Sequence, residues 1–439
     1  MPATTIIKPR WIVTVNPDFD VLTESVVIVE NDRIKAIQPL AELDATAFED
    51  AELVELDNHV LMPGLVNAHG HAAMSLLRGI ADDLALMTWL QEHIWPAESK
   101  WVDRQFIEDG VRLAAAEMIR GGTTCCNDMY FFPDVMARTC QQMGMRAVAG
   151  LIVLDFPTVW AASADDYLAK AMATHDEIRE YPLVTTALAP HAPYTVSDAP
   201  LEKIAMYSSE LDLPVHMHVH ETAHEVDEAL ANSGMRPLQR LDQLGLLTPN
   251  LLAVHMTQVE ELEFERLAET GVNVAHCPES NLKLASGFCP VKRLLDQGVN
   301  VCIGTDGAAS NNDLDMFGEM RSAALLAKNV AGDASACPAE QAIRMATING
   351  ARALGLEHAI GSIEPDKKAD LVAVDFSQTN SQPVYNPVAQ LVYAINALQV
   401  SDTWINGVRK LDNYQLTDID AVEIIQNAQQ WQHKISTPA

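Results

Sequence analysis

The stretch "HVLMPGLVNAHGH", residues 59–71, decides how the chain is read. An apolar run ends in two imidazoles, His69 and His71, one residue apart. In a strand, residues i and i+2 point to the same side. The pair is therefore suited to hold one metal ion, or to serve as two polar residues at a strand end. The other ligands have to come from elsewhere in the chain.

Seven further short apolar runs follow: "TTCCND", "RAVAGLIVL", "LVTTALAP", "LPVHMHVH", "LLAVHM", "VNVAHC" and "NVCIGTD". Helix-like segments such as "DVMARTCQQMGM" and "ELEFERLAETG" separate them. Eight such units over residues 60–306 have the size of a (β/α)8 TIM barrel. A doubly wound open sheet is the alternative, but it often carries a glycine-rich phosphate loop after its first strand, where this chain has His-Gly-His. The ends have a different texture. "RWIVTVN" and "ESVVIVENDRIKAIQPL" alternate around Asn31-Asp32, and "VSDTWINGVRKL" turns at Asn406-Gly407. The expected organisation is an α/β chain: a β-sandwich part in residues 1–60, a catalytic barrel in 61–360, and a second sandwich part with a terminal helix in 361–439.

A barrel places its active site at the C-terminal ends of its strands. There stand His69 and His71, His191, His216, His218, His220 and Glu221, His255, His276, and Asp306. One strand-end histidine is unremarkable; the same residue type at several independent strand ends is not. Three or four N/O ligands with an open position describe a catalytic zinc-type site. "HETAH", residues 220–224, matches the H-E-x-x-H peptidase signature, but that motif needs a helix and here follows a strand pattern. The P-C-x-x-C and H-x-E elements of cytidine-deaminase zinc sites are missing. The third and fourth runs hold no lysine to bridge two metals, so a single ion is expected.

Composition narrows the partners. The 439 residues carry 29 basic and 60 acidic side chains, a net charge of −31. Such a surface repels phosphate backbones, which argues against nucleic acid. Neither a secretory leader nor a membrane-spanning run is evident, and seven cysteines without a C-x-x-C fit reduced thiols, so a cytoplasmic protein is expected. Cys277 reads as a buried small residue, Met74, Met87 and Met129 as core or pocket filler, and Lys367-Lys368 as a solvated turn.

The H-x-H, the strand-five histidine followed by glutamate, the strand-six histidine and the strand-eight aspartate resemble the amidohydrolase superfamily. The two ends resemble the composite sandwich of its cytosine-deaminase and chlorohydrolase-like branch. "VNAHGHAAMSLLRGIADDLALMTWLQEHIWPAE", "PHAPYT", "HVHET" and "GTDGAASNN" are similar to 5-methylthioadenosine/S-adenosylhomocysteine deaminases. The resemblance implies His69, His71, His218 and Asp306 as ligands of one divalent ion, zinc first and iron(II) or manganese(II) compatible. It implies Glu221 as proton shuttle, His255 as the residue holding the attacking water, and Asp306 as proton acceptor. Glu98, His191, Trp89 and Ser310 are the implied substrate contacts, together with Glu221 and Asp306. His216 is expected deeper in the barrel and His220 behind the site. A homo-oligomer, dimer or tetramer, is implied too.

The expected reaction is hydrolytic deamination of an adenine nucleoside to the inosine analogue and ammonia. Residues 150–178 contain no arginine for an amino-acid carboxylate but offer Phe156, Val159 and Trp160. That ranks methylthioadenosine ahead of adenosine and S-adenosylhomocysteine, unless Arg146 or a partner's arginine intervenes. The alternatives are a related deaminase or chlorohydrolase acting on guanine or a triazine, and a barrel that has lost its chemistry.

Overall fold

The structure is a computed structural model that describes residues 4–43 and 50–437. Eight parallel strands pair in sequence order: Leu65–Gly70, Thr123–Tyr130, Arg146–Val153, Val184–Pro190, Val215–Val219, Leu251–His255, Asn273–His276 and Val301–Ile303. Each falls within, or overlaps, one of the eight apolar runs. Past the eighth strand the chain meets the first again. Gly70 and Asp306 form a parallel bridge, and the Asp306 N–H donates to the His69 carbonyl at 3.0 Å. The sheet is thus a nearly closed (β/α)8 barrel.

The strands are buried along nearly their whole length, which is why they read as continuous apolar runs rather than alternating ones. One apolar cluster joins Val66, Cys125, Val148, Leu252, Ala275 and Cys302 with Ala351 and Leu354, filling the barrel with side chains. Helices cover the outside. Arg104–Arg120 starts where the Asp103 carboxylate accepts the Phe106 N–H, and Pro133–Met143 stops at Gly144 with φ +70°.

The two ends of the chain build one mixed sheet of nine strands. Thr4–Val13, Ser25–Glu30, Arg33–Pro39 and Glu52–Pro63 join Leu371–Asp375, Val400–Ile405 and Val408–Asp412. Ile7, Val27, Leu61, Leu371 and Trp404 form its own apolar cluster. The terminal helix Ala421–Ser436 stacks Trp431 edge-on against Phe106, and the indole N–H donates to Asp109 at 2.9 Å.

Two details differ from the sequence reading. The run through residues 60–69 is not one strand. It divides at Gly64: Glu52–Pro63 pairs with the end sheet, and Leu65 opens the barrel. A Cβ on Gly64 would lie 2.1 Å from Thr124 Oγ1, so only glycine lets the chain pass between the sheets here. Lys367-Lys368 is not a solvated turn either. Lys368 pairs with Asp32, and the Lys367 carbonyl accepts the Ile34 N–H at 2.8 Å. The turn packs against the Asn31-Asp32 hairpin, so its ammonium groups find partners instead of water. Gly407, at φ +78°, touches the same hairpin; a Cβ there would meet the Asn31 carbonyl oxygen at 1.9 Å.

Candidate active site

The histidines at the strand ends share one arrangement. His71 Nδ1–H donates to the Met129 carbonyl at 2.5 Å, and His218 Nδ1–H to the His191 carbonyl at 2.8 Å. His255 Nδ1–H donates to Asn281 Oδ1 at 2.8 Å, and His69 Nδ1 meets His216 Nε2 at 2.7 Å. Tying Nδ1 fixes ring orientation and tautomer and leaves Nε2 as a free ligand atom. The freed nitrogens converge. His69 Nε2 and His71 Nε2 each lie 3.2 Å from Asp306 Oδ1. The ligand atoms of His69, His71 and Asp306 fall within 4.8 Å of one another, and so do those of His69, His218 and His255.

The two groups share His69, so the four expected ligands and His255 line one end of the barrel side by side. Asp306 Oδ2 faces away and accepts hydrogen bonds from Ser280 Oγ at 2.6 Å and Ser310 Oγ at 2.9 Å. Burial disfavours the Asp306 carboxylate, but the two imidazoles outweigh it and hold the group well below the usual carboxylate range. Asp306 has φ +62° and His255 φ +74°, conformations rare outside glycine and found where a site dictates the backbone. An all-N/O donor set with oriented imidazoles fits one divalent ion, zinc foremost.

Glu221 follows the fifth strand and is 6% exposed. Burial raises its carboxyl above the ordinary value. The Glu225 carboxylate fixes its backbone, accepting the His220 N–H at 3.1 Å and the Glu221 N–H at 2.7 Å. "HETAH" does straddle the strand end. His220 is buried and accepts the Leu238 N–H, while His224 lies exposed on the helix Ala223–Ser233.

The site opens into a cavity of about 510 Å³. One wall is a helical stretch whose middle, Trp89–Ile94, is a π-turn leading into Trp95–Trp101. The wider turn puts Trp89, Ile94 and Glu98 on the cavity side. Tyr130 O–H donates to Glu98 Oε1 at 2.7 Å, and burial pushes Glu98 up to about 7. Trp89 Nε1–H is buried without a partner. His191 also lines the cavity, its Nδ1 3.0 Å from Thr195 Oγ1, and burial pushes it down to about 3, so the ring is neutral. Ser310 lies behind Asp306 and is 2% exposed. Tyr130, Ser280, Asn281 and Glu225 carried no sequence signal, because their partners are distant in the chain or lie in irregular turns.

A model of the amidohydrolase family matches residues 60–410. The chain belongs to this family. It is 49% identical over 425 residues to a 5-methylthioadenosine/S-adenosylhomocysteine deaminase of Teredinibacter turnerae, covering 97% of this chain and 96% of the relative. A zinc-bound crystal structure of an adenosine deaminase from Xanthomonas campestris superposes with a TM-score of 0.97 at 52% identity, covering 100% of this chain and 99% of the other. A zinc-bound atrazine chlorohydrolase from Arthrobacter aurescens shares the fold at 21% identity, with a TM-score of 0.91 and 97% and 99% coverage. This amidohydrolase is a hydrolase of C–N bonds with a single-metal site. Among the described residues no helix is long and apolar enough to cross a membrane, and all seven cysteines are buried, free thiols.

Proposed function

We propose that this amidohydrolase deaminates adenine nucleosides, with 5′-methylthioadenosine preferred over adenosine and S-adenosylhomocysteine. The observation that carries the reading is the cavity itself. It joins a cluster of imidazoles and carboxylates to the buried carboxyl of Glu98 and to an apolar wall of Phe131, Ile152, Leu154, Phe156 and Val159. None of the residues lining it is an arginine or lysine. Arg146 is unavailable, because its guanidinium is buried in a bidentate pair with Asp370 at 2.7 and 3.0 Å. An amino-acid carboxylate would find no cation, while a methylthio group would find hydrocarbon.

His69, His71, His218 and Asp306 would hold the metal, which when bound brings a water's pKa toward neutrality. Asp306 takes a proton from the attacking water. His255, its Nδ1 held by Asn281, turns Nε2 toward that water as a hydrogen-bond acceptor and orients the water oxygen toward C6 of the purine. Glu221, whose protonated form burial favours, delivers a proton to N1, so that no negative charge accumulates on the ring. Asp306 passes its proton to the C6 amino group and Glu221 takes the remaining hydroxyl proton as C6=O forms; ammonia departs and the inosine analogue keeps the hydrogen on N1. Glu98 accepts hydrogen bonds from the ribose diol, Tyr130 holding one of its oxygens. Trp89 Nε1–H is a free donor at the sugar, and His191 contacts the base. Ser310, expected as a substrate contact, does not line the cavity and instead donates to Asp306 from behind.

Guanine and triazine substrates lack a ribose and would leave Glu98 with Tyr130 as its hydrogen-bond partner and no diol. The likeness to the atrazine enzyme is one of fold. The seven free thiols support a cytoplasmic location, and a homo-oligomer is proposed on the family resemblance alone. Conversion of methylthioadenosine to its inosine analogue by zinc-loaded protein, followed chromatographically, tests the reading; recovery of unchanged nucleoside rejects it.

A further inference from the structure

The short helix Pro278–Lys283, in the sequence "PESNLK", touches the site from behind at two points. Ser280 is fully buried, and its hydroxyl donates to Asp306 Oδ2 at 2.6 Å while lying 3.2 Å from Ser310 Oγ. Asn281, 2% exposed, accepts the His255 Nδ1–H at 2.8 Å. Neighbouring residues of one helical turn thus hold the carboxylate that takes a proton and the imidazole that faces the attacking oxygen. Neither reaches the cavity.

The helix is itself fastened. Glu319, fully buried on the helix Met316–Ala331, accepts the Glu279 N–H at 3.3 Å with Oε2 and the Asn311 amide with Oε1. Asn311 also donates to the Thr305 carbonyl at 2.8 Å, one residue before Asp306. Glu319 therefore ties the start of the Pro278–Lys283 helix to the turn that carries Asp306. A buried carboxyl between two backbone segments fixes their separation, since any shift leaves a polar group unpaired.

We propose that Ser280 and Asn281 act as a paired positioning bracket, Ser280 setting the orientation of Asp306 and Asn281 the tautomer and orientation of His255, with Glu319 as its anchor. The proposal rests on the roles given to Asp306 and His255 above. It assigns no substrate contact to the bracket. It predicts that hydrogen-bonding capacity, not volume, matters at both positions.

Two near-isosteric pairs test this. Ser280→Thr keeps the hydroxyl that Ser280→Val lacks, and Asn281→Asp keeps the acceptor that Asn281→Leu lacks. For each variant, kcat, KM and loss of zinc to a competing chelator are measured. The expected result is a kcat about 10- to 100-fold lower in Ser280→Val and Asn281→Leu than in their partners, with KM within about threefold. Ser280→Val is also expected to surrender zinc more readily than Ser280→Thr, a readout that does not depend on turnover. Equal kcat and equal zinc retention within each pair would overturn the bracket. Failure of the wild-type enzyme to deaminate any nucleoside would sink the proposed function instead, and the zinc comparison would still decide the Ser280 half.

Discussion

His255 Nε2 lies 3.9 Å from Glu221 Oε1. His255 ends the sixth strand and Glu221 follows the neighbouring fifth, whose register pairs His218 with Val254 and Val219 with His255. An imidazole lone pair and a buried carboxyl therefore face the same small volume, the first directed at an attacking water and the second at the ring nitrogen that must gain a proton. Replacing Glu221 with Gln keeps the shape and removes the transferable proton. The expected loss in kcat is about 10²- to 10⁴-fold, with KM little changed, measured by steady-state ammonia release.

Glu98 supplies a pH dependence. Burial raises its carboxyl from 4.5 to about 7, so it is largely protonated in acid and ionised above neutrality. Only the carboxylate accepts two hydrogen bonds from a diol while also accepting the Tyr130 O–H. The ratio kcat/KM should therefore fall as pH drops through about 7 in the free enzyme. Glu98→Gln should lower the plateau and remove this acidic limb. The measurement is kcat/KM from pH 5 to 9 for both proteins; an identical limb in the variant would assign the titration elsewhere.

Specificity rests on a missing cation. Val159 is 41% exposed at the cavity wall, so an arginine fits there without entering the core. Val159→Arg should raise the kcat/KM of S-adenosylhomocysteine relative to methylthioadenosine by about 10-fold, the order of one charge-assisted hydrogen bond. An unchanged ratio would show that the tail of the substrate leaves the cavity by another side.

The Arg146–Asp370 pair is structural, joining the third barrel strand to the mixed sheet. The side chains are 7% and 1% exposed. Arg146→Met strands a buried carboxylate and should cost about 3–5 kcal/mol in chemical denaturation, while leaving the ratio of kcat/KM values among substrates unchanged.

Much of this site was legible in the chain because the barrel places the ends of separate strands around one centre. His69, His71, His218, His255 and Asp306 each stand at the end of an apolar run, and that coincidence needs no three-dimensional information. Their supports were not legible. Tyr130 meets Glu98 from a strand 32 residues away, and Asn281 meets His255 from a single-turn helix that has no periodic signature. Gly64 was hidden for a related reason. Both sheets bury apolar residues on either side of it, so hydropathy runs straight across the boundary and only the contact with Thr124 reveals it. The lysine turn at 367–368 misled because charge in a sequence says nothing of a partner more than 300 residues away.

The most direct test of the central claim compares kcat/KM for methylthioadenosine, adenosine, S-adenosylhomocysteine, guanine and a chlorotriazine on the same zinc-loaded preparation. The account predicts deamination of the nucleosides, highest for methylthioadenosine, with no turnover of guanine or the triazine. A clear preference for S-adenosylhomocysteine would contradict the apolar-wall argument, and turnover of guanine or the triazine alone would contradict the proposed substrate class.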